Sequence, residues 1–271
     1  MSAAMPALRD VVAFLEQFAP LSLAEEWDNV GLLLGDAAAE IDRAMTCLTI
    51  TDDVVEEAVT ERVGLVVTHH PLPFRPITRI TTDDLVGRRI WKLLRQGIAV
   101  YSPHTAFDSA AEGINWQWAQ RLGLAEVTTL VEPLETPPQP GLLIAGTGRL
   151  GELPEATTLR GLAKTVMGFA GAPVKIVGAA NRPVRRVAIA CGAAGELLPA
   201  AVQRGADTLL MGEATFHACL DALASGVTLI LTGHYHSERF AVEDLAERID
   251  CEFGGITAWA SRVERNPVTF V

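Results

Sequence analysis

The chain has 271 residues, 49% of them hydrophobic and 20% charged, which is enough apolar material for one large core or two ordinary ones and excludes wholesale disorder. Its formal net charge of −11 excludes a broad phosphate-binding surface, because binding nucleic acid takes clustered Lys and Arg. No run of about 18 uncharged apolar residues occurs, so no segment predicts a membrane span.

The N-terminal stretch MSAAMPALRDVVAFLEQF meets Asp10 and Glu16 and lacks a basic region ahead of an apolar run, so it reads as a first helix and not as a secretory signal. Cys47, Cys191, Cys219 and Cys251 form no CxxC pair. Without an export signal they read as small buried residues in a reducing cytoplasm. EEWDNVGLLLGD (25–36) places Trp27, of a type usually buried, with Asp28 and Asn29 ahead of an apolar run. It predicts a turn holding the first strand, with Asp28 and Asn29 in reach of supporting a ligand.

AMTCLTI (44–50) predicts a strand and DDVVEEAVTE the helix after it. GLVVT (64–68) is a second strand, ended by His69, His70, Pro71 and Pro73. LVGRRIWKLLRQ reads as a helix stopped at Gly97, and IAVYS (98–102) as a strand running into PHTAFD. VEPLETPPQPG (131–141) holds four prolines and predicts a linker. Alternation then restarts: GLLIAGTGRLG is strand-like, TLRGLAKTVMGFAG helical, VKIVGA, RRVAIA, DTLLMG and VTLILTG strand-like. A helix surrounds ATFHACLDALA, and SERFAVEDLAERI with a short tail closes the chain. This pattern predicts the α/β class, and the absence of a repeat of 20 to 50 residues excludes a solenoid. Two α/β domains of similar size follow, joined at 133–140. The first comprises residues 1–130 plus about 234–271, and the second residues 131–233.

Of the six histidines, five fall at or just past a predicted strand end, where ligands collect in open α/β sheets. His69 and His70 are neighbours. On a strand their side chains would face opposite ways, which suits two ions a few ångströms apart, or a chain already turning into Pro71. An exposed pair in a polar loop is the plain alternative. His104 and Asp108 follow the next strand, and there a helix N-cap is the favoured reading of Asp108. In TGHYHSE, His234 and Glu238 are four apart, so a helical turn brings them to one face. His236 alternates with His234 and reads as facing away. Imidazole and carboxylate are the usual partners of Zn, Mn, Fe, Co or Ni. His69, His70, Asp108, His234 and Glu238 therefore offer ligands for two divalent ions, with open positions for water or substrate. Glu213 and His217, also four apart, either reach the same site or form a surface pair. CGAAGE lacks the GK[ST] ending of a phosphate loop and predicts a structural turn. Arg182, Arg185 and Arg186 read as a solvated surface. No serine or cysteine stands in a nucleophile motif.

EEWDNVGLLLGD, VVTHHPLPF, YSPHTAFD, GEATFH and LTGHYHSE, in this order over residues 25–238, resemble the Nif-three-like family (NGG-one-interacting factor three), also labelled GTP cyclohydrolase I type 2. The resemblance implies two α/β domains with a dinuclear metal centre in the cleft between them. It implies His69 and His70 as ligands to different ions, Asp108, His234 and Glu238 as the others, and Glu238 as the bridge. It further implies a ring-shaped homohexamer, and no extra domain between the halves. The chain departs from the family at Ala106 and Phe107, where Asn and Leu are common, and has one histidine in GEATFHAC where two often occur. The function so read is that of a metal-dependent hydrolase of a small nucleotide-like heterocycle, with His104, His217 or Glu213 moving protons. A metal-delivery or partner-binding ring is the other reading, and nucleic-acid binding is disfavoured by charge.

Overall fold

The computed structural model describes residues 5–131 and 145–269. In chain order the first elements are α1 (Leu8–Phe18), β1 (Gly31–Leu34), β2 (Arg43–Cys47), α2 (Asp52–Thr60), β3 (Leu65–Thr68), α3 (Leu85–Arg95) and β4 (Ala99–Ser102). Then come α4 (His104–Ser109), α5 (Ile114–Arg121), β5 (Ala125–Thr128), β6 (Arg149–Thr158), α6 (Leu159–Ala170), β7 (Lys175–Val177) and β8 (Pro183–Ala190). The last are α7 (Leu198–Gln203), β9 (Thr208–Met211), α8 (Phe216–Ser225), β10 (Thr228–Leu231), α9 (His234–Glu252) and β11 (Thr257–Ala260). The chain divides into two compact units, Met1–Phe107 with Arg239–Pro267, and Asp108–Glu238 with Val268–Val271.

In the first unit a five-stranded sheet has the order β1-β4-β3-β2-β11. Strands β3 and β4 are buried along their whole length, the mark of a parallel sheet covered on both faces. Met45, Val66 and Val100 pack there against Val54, Ile90 and Leu93 from α2 and α3. Both helices start where the sequence supplies a cap: Thr51 accepts from Val54 N and Asp84 from Gly87 N. Edge strand β1 runs antiparallel to β4, with Gly31 opposite Ser102. Residues before β1 therefore lie beside residues after β4.

The second unit holds a six-stranded mixed sheet of order β5-β6-β8-β9-β10-β7. β8, β9 and β10 are parallel, and Leu150, Ala188, Leu209 and Leu229 belong to its core. Residues 108–130, expected in the first domain, stand in this unit because β5 pairs antiparallel with β6. The Pro-rich segment 133–140 lies outside the described residues, as does the start of the strand-like GLLIAGTGRLG. Strand β11, expected as tail, pairs parallel with β2. The final helix starts three residues earlier than expected, at His234. Of the cysteines expected to be buried, Cys47 and Cys191 are, whereas Cys251 is exposed and Cys219 intermediate. Cys219 packs at the margin of the second unit's core. Arg185 and Arg186 both pair with Glu152, at 3.2 and 3.6 Å. Among the described residues no helix is long and apolar enough to cross a membrane.

One charge in the second unit is deeply buried. The Arg149 guanidinium, 2% exposed, donates to Gly146 O at 2.6 Å, Gly148 O at 2.7 Å and Ala110 O at 2.7 Å. Burial lowers its pKa to about 10, so it stays charged at neutral pH and ties β6 to the segment just after α4. Replacing it removes three buried charge-assisted bonds, so Arg149→Met should lower stability by about 3 kcal/mol. Urea unfolding measures this as a fall in midpoint at unchanged m-value. An unchanged midpoint would mean that water replaces the guanidinium at no cost.

Candidate functional site

The chain leaves strand geometry at the end of β3, so His69 and His70 do not take opposite faces. Their rings lie 5.1 Å apart between centroids. His104 follows β4, the strand next to β3, and its ring is 5.1 Å from His69 and 5.5 Å from His70. One ring nitrogen from each of the three lies within 4.8 Å of the others. His69 and His104 are buried. His104 thus joins the pair as a third donor, where the sequence singled it out only for proton transfer.

Two of the rings are held from behind, and the third is held through its backbone. Asp28 comes just before β1 and so meets the residues after β4. Its carboxylate, closed off from solvent, accepts from His104 Nδ1 at 2.7 Å, Thr105 N at 3.1 Å and Thr105 Oγ1 at 2.6 Å. Burial alone would raise the Asp28 pKa, but the hydrogen bonds from His104 and Thr105 outweigh it and bring it down to about 2. An ionised carboxylate only accepts, so the His104 proton sits on Nδ1 and leaves the Nε2 lone pair for a ligand or a proton. The contact also secures a strained backbone, since His104 has φ +26°, a region costing a residue with a Cβ roughly 1–3 kcal/mol. On the other side, His70 Nδ1 bonds Thr49 Oγ1 at 2.7 Å. Thr49 N and Leu48 N donate to Glu264 at 2.7 and 3.0 Å, and Arg239 Nε lies 2.9 Å from the same carboxylate. Ser102 Oγ donates to His69 O at 2.7 Å.

The second unit carries its own donors. Helix α9 opens at His234, and one turn later Glu238 Oε2 stands 3.2 Å from His234 Nε2. Glu213 reaches His234 Nδ1 at 2.9 Å. The Glu238 bond, with help from Glu213, outweighs burial and raises the His234 pKa to about 9. The CGAAGE turn has a specific task here. Gly192 has φ +67°, and a Cβ there would stand 2.5 Å from Glu238 Oε1, so only glycine lets the carboxylate approach. The neighbouring Cys191 thiol donates to Asp108 Oδ1 at 3.1 Å. Burial and the Asp108 and Glu238 charges push its pKa up, which keeps the thiol protonated. Asp108 is not the expected N-cap: it lies inside α4, and α5 is capped by Gly113. Asn115 fixes this corner by donating to Asp108 O at 3.0 Å and accepting from Cys191 N at 2.8 Å.

His217 is exposed on α8, where its ring packs edge-on against Phe216 at 5.9 Å; Glu213 is the member of that motif that meets His234. His236 is half-buried. Trp27, expected to be buried, is 62% exposed, because Asp28 rather than Trp27 points into the protein. The supporting role expected of Asp28 goes to His104, whereas the contributions of Thr49, Glu264 and Gly192 were not legible as ligand support. Imidazoles and carboxylates with a protonated thiol beside them suit divalent first-row ions, and these residues fit such an ion.

The sequence profile of the family described as Duf34/NIF3 (NGG1p interacting factor 3) matches residues 6–267. A Clostridium acetobutylicum protein named GTP cyclohydrolase 1 type 2 homolog is 32% identical over 244 residues, covering 90% of this chain and 89% of its own. The Schizosaccharomyces pombe Protein NIF3 homolog is 35% identical over 232 residues, or 82% of this chain and 81% of its own. Among solved structures, a Bacillus cereus protein related to NIF3 superposes with a TM-score of 0.88 at 21% identity, over 99% of this chain and 100% of its own. At that identity the likeness concerns the fold.

Two outcomes follow from the geometry. In metal-free protein the His234 imidazole should titrate near 9 by NMR, against an ordinary 6.5, and Glu238→Gln should move it back towards 6.5. Because the folded pKa is the higher one, this pairing stabilises the fold fully below about 6.5 and is lost as pH rises through about 9. A wild-type midpoint near 6.5 would contradict the pairing. Separately, Thr49→Val should weaken zinc binding by about tenfold, since it releases His70 Nδ1, and Glu264→Gln should act in the same direction by loosening the backbone that carries Thr49. Competition with a chelator reads this directly, and unchanged affinity would mean that the His70 ring needs no such support.

Proposed function

The chain belongs to the Duf34/NIF3 family, and from that premise we propose that it is a divalent-metal-dependent hydrolase. In this reading each chain would hold two ions, drawn from Zn, Mn, Fe, Co or Ni. His69, His70, Asp108, His234 and Glu238 would be their ligands. The observation that carries it is the convergence of three imidazoles within 4.8 Å at the ends of adjacent parallel strands. Two of those rings have the far nitrogen already engaged, by Asp28 and Thr49, as metal-bound histidines do.

Divalent ions supply Lewis acidity and make water acidic enough to attack at neutral pH. The chain's own residues handle protons. His104, with Nδ1 bound to Asp28, offers Nε2 to accept or return one. Glu213, more than half exposed beside His234, links that imidazole to solvent. His217 is the third group assigned to this work. The relatives named GTP cyclohydrolase 1 type 2 homolog support a nucleotide-like heterocycle as substrate. A ring-shaped homohexamer is the assembly this reading carries.

Elemental analysis on protein of known molar mass in solution tests it. About two ions per chain, in a particle of six chains, should fall to less than one in a His69→Ala, Asp108→Ala double variant. Full occupancy in that variant would place the ligands elsewhere, and no metal after reconstitution would overturn the hydrolase.

A further inference from the structure

Two large aromatic side chains stand in solvent beside the imidazole cluster. Trp27 is 62% exposed and Phe74 47%. Their rings are 6.0 Å apart between centroids, tilted at 46°, and each meets the His104 ring near-perpendicularly, at 6.0 and 5.9 Å. Single exposed apolar residues need no explanation, but two rings sharing contact with a buried histidine form a continuous aromatic wall.

The wall is held by its neighbours' polar bonds and not by its own burial. Asn29 Nδ2 donates to Pro73 O at 2.7 Å, which ties the segment carrying Phe74 to the segment carrying Trp27. Asp28, adjacent to Trp27, is fixed by His104 and Thr105, and Glu25 N donates to Thr105 Oγ1 at 3.0 Å. Both rings are therefore placed before any ligand arrives, which removes much of the ordering cost of binding. Trp and Phe faces select flat π-systems: every heterocyclic base has such a face, and a saturated sugar has none.

We propose that Trp27 and Phe74 form the substrate platform, which takes a planar aromatic heterocycle of one or two fused rings and presents its edge to His104. This deepens the hydrolase reading and rests on it for what happens next, but the stacking step needs neither turnover nor metal. His104 then occupies the junction between the platform and the other two imidazoles, with Nε2 available toward the ring edge.

The test is an NMR titration of the assembled protein with guanosine, adenosine and, as the saturated control, ribose. It is run on metal-free and zinc-loaded samples of wild type, Trp27→Ala, Trp27→Phe and Phe74→Ala, with the molar mass of each measured in solution. The nucleosides should bind saturably and ribose should not. Each alanine variant should weaken nucleoside binding by about tenfold, with Trp27→Phe recovering most of it and molar mass unchanged. Nucleoside binding in a protein that takes up no zinc would uphold the platform while overturning the metal reading. The platform is overturned by equal binding of ribose, by no saturable nucleoside binding, or by alanine variants that bind as wild type does. It is also overturned if those variants change the molar mass and leave affinity alone, since the pair would then be a contact between copies of the chain.

Discussion

The buried bond between the Asp28 carboxylate and His104 Nδ1 fixes the geometry on which the candidate site depends. It holds a histidine with a left-handed backbone in place, fixes which ring nitrogen carries the proton, and turns Trp27 outward. The bond is strong because the carboxylate is closed off from water and has four donors to satisfy it. Without those donors burial would favour the protonated acid, and His104 would lose both its orientation and its tautomer. The parallel sheet determines where this happens: adjacent strands β3 and β4 end together and release His69, His70 and His104 at one edge.

The second unit solves a similar problem with different chemistry. A carboxylate at the first turn of α9 approaches backbone so closely that only Gly192 leaves room. The Cys191 thiol, kept protonated by burial and by its acidic neighbours, serves Asp108 as a hydrogen-bond donor. Both units thus spend backbone strain or buried polar groups on orienting histidines and carboxylates. A fold selected for stability alone would fill such places with apolar side chains.

Much of this was legible in the sequence because it is local. An apolar run ended by His69, His70 and prolines marks a strand end, and the spacing of His234 and Glu238 marks one helical turn. The strands and helices between them follow from periodicity and caps. What escaped depends on pairing across the sheet. Asp28 and His104 are 76 positions apart, joined only because β1 runs antiparallel to β4. Thr49 and Glu264 are 215 apart and meet because β11 pairs with β2, a strand too short to stand out. Asp108 looked like an N-cap since capping is what aspartate before a helical pattern usually does, and His104–Ser109 instead forms a helix of its own with Asp108 inside it. Trp27 looked buried by residue type, which says nothing of a side chain whose neighbour is the one drawn inward.

In the proposed reading these donors would hold a pair of divalent ions. Anomalous difference maps from a crystal of zinc-reconstituted protein, collected on either side of the zinc edge, test it most directly. Two peaks per chain about 3.5–4 Å apart, bonded by His69, His70, Asp108, His234 and Glu238, are the result the account predicts. A single peak among His69, His70 and His104 alone, or none near these residues, would contradict it.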